Sequence, residues 1–150
     1  MKKYLWSLVI VMCLFMMTGC GSSSKTLSCS KDFSSSMPSG ITMIQDSKIE
    51  FKNDKIDSMD MIMKFELSST YASQIETFIN TMKSTYEKQY GNHDGITLKS
   101  NKTGDSTFEI VISIDYKNIS DSTKKAIGAV GSESYSINRN QLEKQGYTCK

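Results

Sequence analysis

His93 is the single histidine of the chain and the side chain best suited to general base catalysis near neutral pH. It stands beside Asp94 in a predicted turn. No serine lies in a Gly-x-Ser-x-Gly sequence, and neither common phosphate-binding glycine loop is present. A nucleophile without a neighbouring base is weak. We therefore expect His93 to be a solvated turn residue and predict no catalytic residue.

Three methionines could bind a soft metal ion. Met59, Met61 and Met63 alternate along a predicted strand and therefore share one face. Thioether sulfur suits Cu(I), so a copper site is one interpretation. Phe65 and Leu67 continue the same alternation, which is typical of a core in which methionine fills irregular space. We predict core packing, no metal site and no cofactor.

The first twenty residues have the layout of a secretory signal peptide. Lys2 and Lys3 precede an uncharged run, Tyr4–Met17, and small residues follow it. A helix of this length covers about 21 Å, which is short of the roughly 30 Å hydrocarbon core of a bilayer. The run is therefore predicted to be cleaved, and an uncleaved N-terminal anchor is the alternative.

Cys20 is the residue with the most specific predicted chemistry. The sequence Thr18-Gly19-Cys20 resembles the lipobox of bacterial lipoproteins. In that motif a peptidase cuts before the cysteine, and the cysteine thiol carries a diacylglycerol that anchors the protein by burying acyl chains. The prediction is a signal peptide over residues 1–19, a lipidated N-terminus and flexible tether over 20–26, and one domain over 27–150. The domain would face outward on a cell membrane.

Cys29 and Cys149 would be the remaining cysteines of the folded region, one near each end. An exported domain lies outside the reducing cytosol, where an even pair of cysteines tends to be oxidised. We predict a disulfide between them. Two free thiols are the alternative.

Charge argues against nucleic acid as a partner. The whole chain has 18 basic and 16 acidic residues, but Lys2 and Lys3 would leave with the signal peptide. The mature protein would then be neutral and would carry no basic block to neutralise phosphates.

The elements that must position these residues are strands and helices, which are recognised by apolar residues at every second position and at a period of about 3.6 residues, respectively. Strands are expected near 27–33, 41–51, 59–67, 96–98 and 108–116. The second is either continuous or interrupted near Asp46-Ser47, and a hairpin turn is expected at residues 52–55. A helical stripe follows Ser68 and ends near Gly91, and shorter helices are expected at 120–127 and 137–145. The order β-β-β-α-β-β-α-α predicts an α+β domain, with an antiparallel sheet of about five strands and helices on one face.

This layout resembles the YehR-like family of small bacterial lipoproteins. The resemblance is carried by residues 51–55 before the long strand, 86–90 near the helix end, 95–98, the strand 109–117 and the terminal 141–147. It implies a compact α+β domain in the cell envelope. It implies no activity and no binding site.

The expected function is that of a non-enzymatic, lipid-anchored envelope module, bound to the membrane by its lipid and to an unknown protein or small-molecule partner. One alternative is an envelope hydrolase whose active site is assembled from dispersed residues. Another is a structural or stress-related surface protein. A deep pocket with converging carboxylates would favour the hydrolase, and an exposed apolar patch would favour a protein partner.

Overall fold

The computed structural model describes residues 23–91, 93–127 and 134–150. The predicted signal peptide, Cys20 and most of the small-residue loop before the last helix lie outside these ranges. The strands are β1 (Ser24–Asp32), β2 (Ile41–Lys52), β3 (Lys55–Leu67), β4 (Ile96–Lys102), β5 (Thr107–Asp115) and β6 (Thr148–Cys149). The helices are α1 (Ser69–Ala72), α2 (Ile75–Tyr90), α3 (Asp121–Ala126) and α4 (Tyr135–Lys144), and Ser34–Ser36 form a 3-10 turn.

All six strands form one antiparallel sheet in the order β4-β5-β3-β2-β1-β6. The predicted α+β class with helices beside an antiparallel sheet is confirmed. The sheet has one strand more than expected because the C-terminal Thr148–Cys149 pairs with β1.

The β2–β3 hairpin is the longest feature of the sheet. Its two-residue turn places Asn53 and Asp54 at φ 53° and 59°, a left-handed conformation that these two residue types tolerate. The strands then pair from Lys52 and Lys55 to Ile41 and Leu67, with one irregularity at Glu50/Phe51. Strand β2 is continuous at Asp46-Ser47, the place left open by the sequence, since both residues continue the ladder.

Helices cover one face of the sheet. Helix α2 packs along β4 and β5, and α4 packs on β1 and β6. The larger buried cluster lies under α2 and includes Phe65, Phe108 and Ile110, and the smaller one lies under α4 and comprises Leu27, Cys29, Ile49 and Phe51. The rings of Phe65 and Phe108 stack with centroids 4.7 Å apart.

Ser47 is the one buried polar side chain within the part of the chain that the structure describes. It is 3% exposed, and its hydroxyl has no hydrogen-bond partner there. It lies on the helix-covered face, opposite Cys29 in β1 and Met61 in β3. An unbonded hydroxyl in such a place costs stability, because it has given up its hydrogen bonds to water.

Two boundaries differ from the sequence prediction. Residues 24–26, predicted as tether, belong to β1, where they pair with residues 50–52 of β2. The expected single helix after Ser68 is two helices, because the chain turns at residues 73–74 between α1 and α2. Tyr71 of α1 lies against Gly40, whose φ of 88° and crowded Cβ position suit glycine. No helix among residues 23–91, 93–127 and 134–150 is long and apolar enough to cross a membrane.

Candidate functional site

The two cysteines of the predicted disulfide are joined by an S–S bond. They lie directly opposite each other in the β1–β6 pair, one position from Ser28 and Lys150, which exchange two backbone hydrogen bonds. Cys29 and Cys149 are therefore a non-hydrogen-bonded pair, the position at which cross-strand side chains come closest. The third predicted site residue, Cys20, lies outside the described residues.

The methionine face packs as core. Met63 is 4% exposed, and Met59 and Met61 pack partly buried against the larger cluster. The prediction of core packing is confirmed for this face. Over the described ranges, no three His, Cys, Asp or Glu side chains lie close enough together to hold a metal ion.

His93 lies in the turn between α2 and β4. Its carbonyl oxygen accepts the amide of Ile96 at 3.2 Å, so the backbone of this residue shapes the turn. The side chain is partly exposed.

The second face of the sheet, which we call the open face, carries none of the described helices. It presents the side chains that alternate with the core residues of β2, β3 and β5. An apolar strip of Ile44, Ile62 and Val111 crosses its centre. Ile62 lies opposite Val111, and Ile44 is diagonal to Ile62 across the β2–β3 pair. Ile44 is 42% exposed, one of two large apolar side chains with such exposure in the described residues.

Ion pairs flank the apolar strip. The Lys64 ammonium lies 2.7 Å from the Asp46 carboxylate across β2 and β3, and Lys48 lies 2.7 Å from Glu50 along β2. The Lys64 hydrogen bond lowers the pKa of Asp46 and, reciprocally, raises that of Lys64. The hydrogen bond from Lys48 lowers the pKa of Glu50 in the same way. These groups therefore stay charged at neutral pH.

A groove of about 540 Å³ lies over the β1–β2 side of the open face. Its lining includes Ser28, Ser30, Ile44, Asp46, Lys48 and Ile62. A second depression of about 380 Å³ shares Ile44 and runs toward the β4–β5 turn. Together they give a broad polar-rimmed surface with an apolar centre, which resembles the anatomy of a protein interface.

This surface was not predicted from the sequence. Ile62 is an apolar residue at an outward, otherwise polar position of β3, and Ile44 lies at an outward position of the neighbouring strand β2. Apolar residues at two outward positions of neighbouring strands are the signal that would have found the strip.

No family model matches the sequence, and no curated protein matches it. The chain is similar in fold to a solved structure described as the NMR structure of the protein from Streptococcus pneumoniae TIGR4. The two share 11% sequence identity over 87% of each chain, with a TM-score of 0.55. At this identity the likeness concerns the fold alone.

Proposed function

We propose that this chain is a lipid-anchored envelope module, without enzymatic activity of its own, that binds a protein partner through the open face. The observation that carries the proposal is the uncovered apolar strip at the centre of the sheet. An apolar centre within a charged rim is the pattern by which protein surfaces associate.

The anchor rests on the signal-like N-terminus and on the resemblance of residues 18–20 to a lipobox. The fold is compatible with it, because β1 begins at Ser24 and leaves three residues after Cys20. Three residues span at most about 11 Å when extended. A lipidated Cys20 would thus hold the sheet close to the bilayer surface, in line with the envelope location that the YehR-like resemblance implies.

The proposal of a binding module is supported by three carboxylates whose pKa is lowered. A general acid in a hydrolase needs a raised pKa. Hydrogen bonds instead lower the pKa of Asp46 and Glu50, and the side-chain hydrogen bond to Ser34 lowers that of Asp32. These groups are suited to fixed charge recognition rather than proton transfer.

A protein partner fits the open face better than a small molecule does. Small ligands are usually enclosed on most of their surface. The open-face groove is floored by strands and is open above them, so it would leave a small ligand largely solvated. A second protein surface can cover Ile44 and Ile62 together and pair with the rim.

The anchor is tested by the intact mass of the protein extracted from membranes with detergent and without reductant. We expect the mass of residues 20–150 plus acyl chains, less two hydrogens for the disulfide. A mass that keeps residues 1–19 and carries no lipid would contradict the anchor.

The binding surface is tested with a photo-crosslinking amino acid at position 44 in cells. Position 137 in α4 is a matched control, because Ile137 is an isoleucine of 44% exposure on the helix-covered side. We expect a discrete protein adduct from position 44, absent from position 137 and lost when Ile62→Arg is added. Equal adducts from both positions, or none from position 44, would contradict the proposed surface.

A further inference from the structure

The two edge strands of the sheet differ in how their outer backbone groups are paired. At one edge β6 covers part of β1 by pairing with Cys29 and Ser30. At the other edge β4 pairs with β5 on its inner side, and no described strand lies beyond it. Seven residues of β4 therefore present an outer edge.

The ladder shows which backbone groups of β4 point outward. The amide of Asp115 donates to the carbonyl of Gly95 at 2.8 Å, so the odd-numbered residues of β4 bond to β5. Leu98, Ser100 and Lys102 consequently point their N–H and C=O groups away from the sheet. These groups have no hydrogen-bond partner in the ranges that the structure covers.

A helix runs beside this edge and forms a groove with it. The edge groove has a volume of about 420 Å³ and is lined by Ser84, Glu87, Lys88 and Gly91 of the α2 end and by Ile96 and Leu98 of β4. Its strand side is apolar, and its helix side is polar. An unpaired strand next to a helix is the arrangement into which an extended peptide adds as a further strand.

The charge around the edge groove is positive. Glu87 is paired with Lys83 at 3.7 Å, and Lys102 is paired with Glu76 at 3.5 Å. Lys88 on the helix wall is unpaired within the described residues, as is Lys99, whose side chain lies on the open face opposite Val111. The Lys99 ammonium favours acidic side chains on the open-face side of an occupant, and Lys88 adds positive charge at the helix wall of the groove.

Lys99 disfavours a second copy of this chain in the β4–β4 register that is centred on this residue. An antiparallel β4–β4 pair that bonds Leu98 to Ser100 places Lys99 directly opposite its symmetry mate. Like charges at directly opposed positions destabilise a strand pair, and edge lysines are a common protection against self-association.

We propose that β4 accepts an extended segment of a partner protein as a seventh strand, and that this segment alternates acidic and apolar side chains. Side chains of an added strand alternate between the two faces of the sheet. The apolar ones enter the edge groove against Ile96 and Leu98, and the acidic ones lie beside Lys99. The backbone hydrogen bonds to residues 98–102 provide affinity, and the alternation provides specificity. The backbone edge and the edge groove are separate from the apolar strip, and the two surfaces border each other where Lys99 lies opposite Val111.

The test uses the full mature chain in detergent micelles and the capped peptide Glu-Val-Glu-Val-Glu-Val-Glu as probe, with Lys-Val-Lys-Val-Lys-Val-Lys as control. We expect the acidic peptide to slow hydrogen exchange of the Leu98, Ser100 and Lys102 amides, and the basic peptide to leave it unchanged. Exchange of these amides that does not respond to the acidic peptide would overturn the proposal.

Ser100→Pro is the decisive variant, with Ser100→Ala as its matched control. Proline is tolerated on an edge strand where the lost N–H faces outward. We expect Ser100→Pro to lower the affinity for the acidic peptide about tenfold, because one intermolecular hydrogen bond is removed and the proline ring obstructs the approach of the peptide. Ser100→Ala should change this affinity less than about twofold. Equal affinity for the two variants would overturn strand addition.

Lys99→Glu provides a second measurement that leaves the backbone unchanged. It should lower the affinity for the acidic peptide and raise the affinity for the basic one, because the charge beside the added strand is reversed. An unchanged preference between the two peptides would overturn the assigned acidic character.

Discussion

Reduction of the Cys29–Cys149 disulfide should lower the free energy of unfolding substantially. The bond joins residues 120 apart in sequence. Closing a loop of that length stabilises by about 4–5 kcal/mol in the chain-entropy model, and loss of a native disulfide typically costs about 2–5 kcal/mol. For a domain of this size such a loss lowers Tm by roughly 8–20 °C.

We also expect reduction to destabilise one part of the domain more than the rest. Strand β6 has two residues, and the cluster beneath α4 has four buried members, one of them Cys29 itself. Among the described residues, the larger cluster under α2 contains no cysteine. Without the disulfide we therefore expect β6 and α4 to open at a lower free energy than β3 and β5 do.

Urea unfolding and hydrogen exchange of the mature protein, with and without reductant, measure both quantities. The variant with Cys29→Ala and Cys149→Ala is the control, since its stability should not respond to reductant. A change below about 1 kcal/mol on reduction, or equal acceleration of exchange in β5 and α4, would refute the reasoning.

Three further substitutions test other contacts. Ser47→Ala should raise the free energy of unfolding by about 1 kcal/mol in urea titrations, because an unbonded buried hydroxyl is removed. If the free energy of unfolding fell by that amount instead, the Ser47 hydroxyl would have a hydrogen-bond partner. Asp46→Asn should cost at most about 0.5 kcal/mol at neutral pH, because its pair with Lys64 is partly exposed. The Lys64 hydrogen bond lowers the folded pKa of Asp46 below its ordinary 3.8, so this contribution is present above that value and disappears as the pH falls through the lower folded pKa. A difference between the Asn variant and the wild type that is undiminished at about pH 2 would contradict the assignment. Asp54→Gly relieves the positive φ of 59° but removes the carboxylate that accepts a hydrogen bond from the Tyr135 amide at the start of α4. Amide hydrogen exchange should therefore become faster in α4 and not in the β2–β3 hairpin. Faster exchange in the hairpin would contradict this expectation.

The sequence alone was sufficient to predict the elements in which apolar residues recur at a fixed spacing. The alternation of β3 and the Asn53-Asp54 turn predicted the central hairpin, because period-two burial and tolerance of positive φ are properties of the residues themselves. The helical stripe after Ser68 predicted a helix that ends near Gly91 for the same reason, and its part from Ile75 onward forms α2.

Pairing over long distances was not readable locally. Residues 24–26 have the composition of a linker and become strand because β2 offers them a partner. Thr148–Cys149 is too short to show any period, and its place depends on β1. The edge groove likewise depends on α2 lying beside β4, which no spacing within either element indicates.

The covalent link between β1 and β6 also has a topological consequence. Residues 29–149 form a closed ring, and this ring contains β2 to β5 and every described helix. A protease that cuts one surface loop inside the ring therefore leaves both fragments joined by the disulfide. The nicked protein gains only the one water of hydrolysis, and it separates into two chains only on reduction. Since residues 23–28 precede the ring, a single cut inside the ring would release no part of the domain from whatever holds its N-terminus.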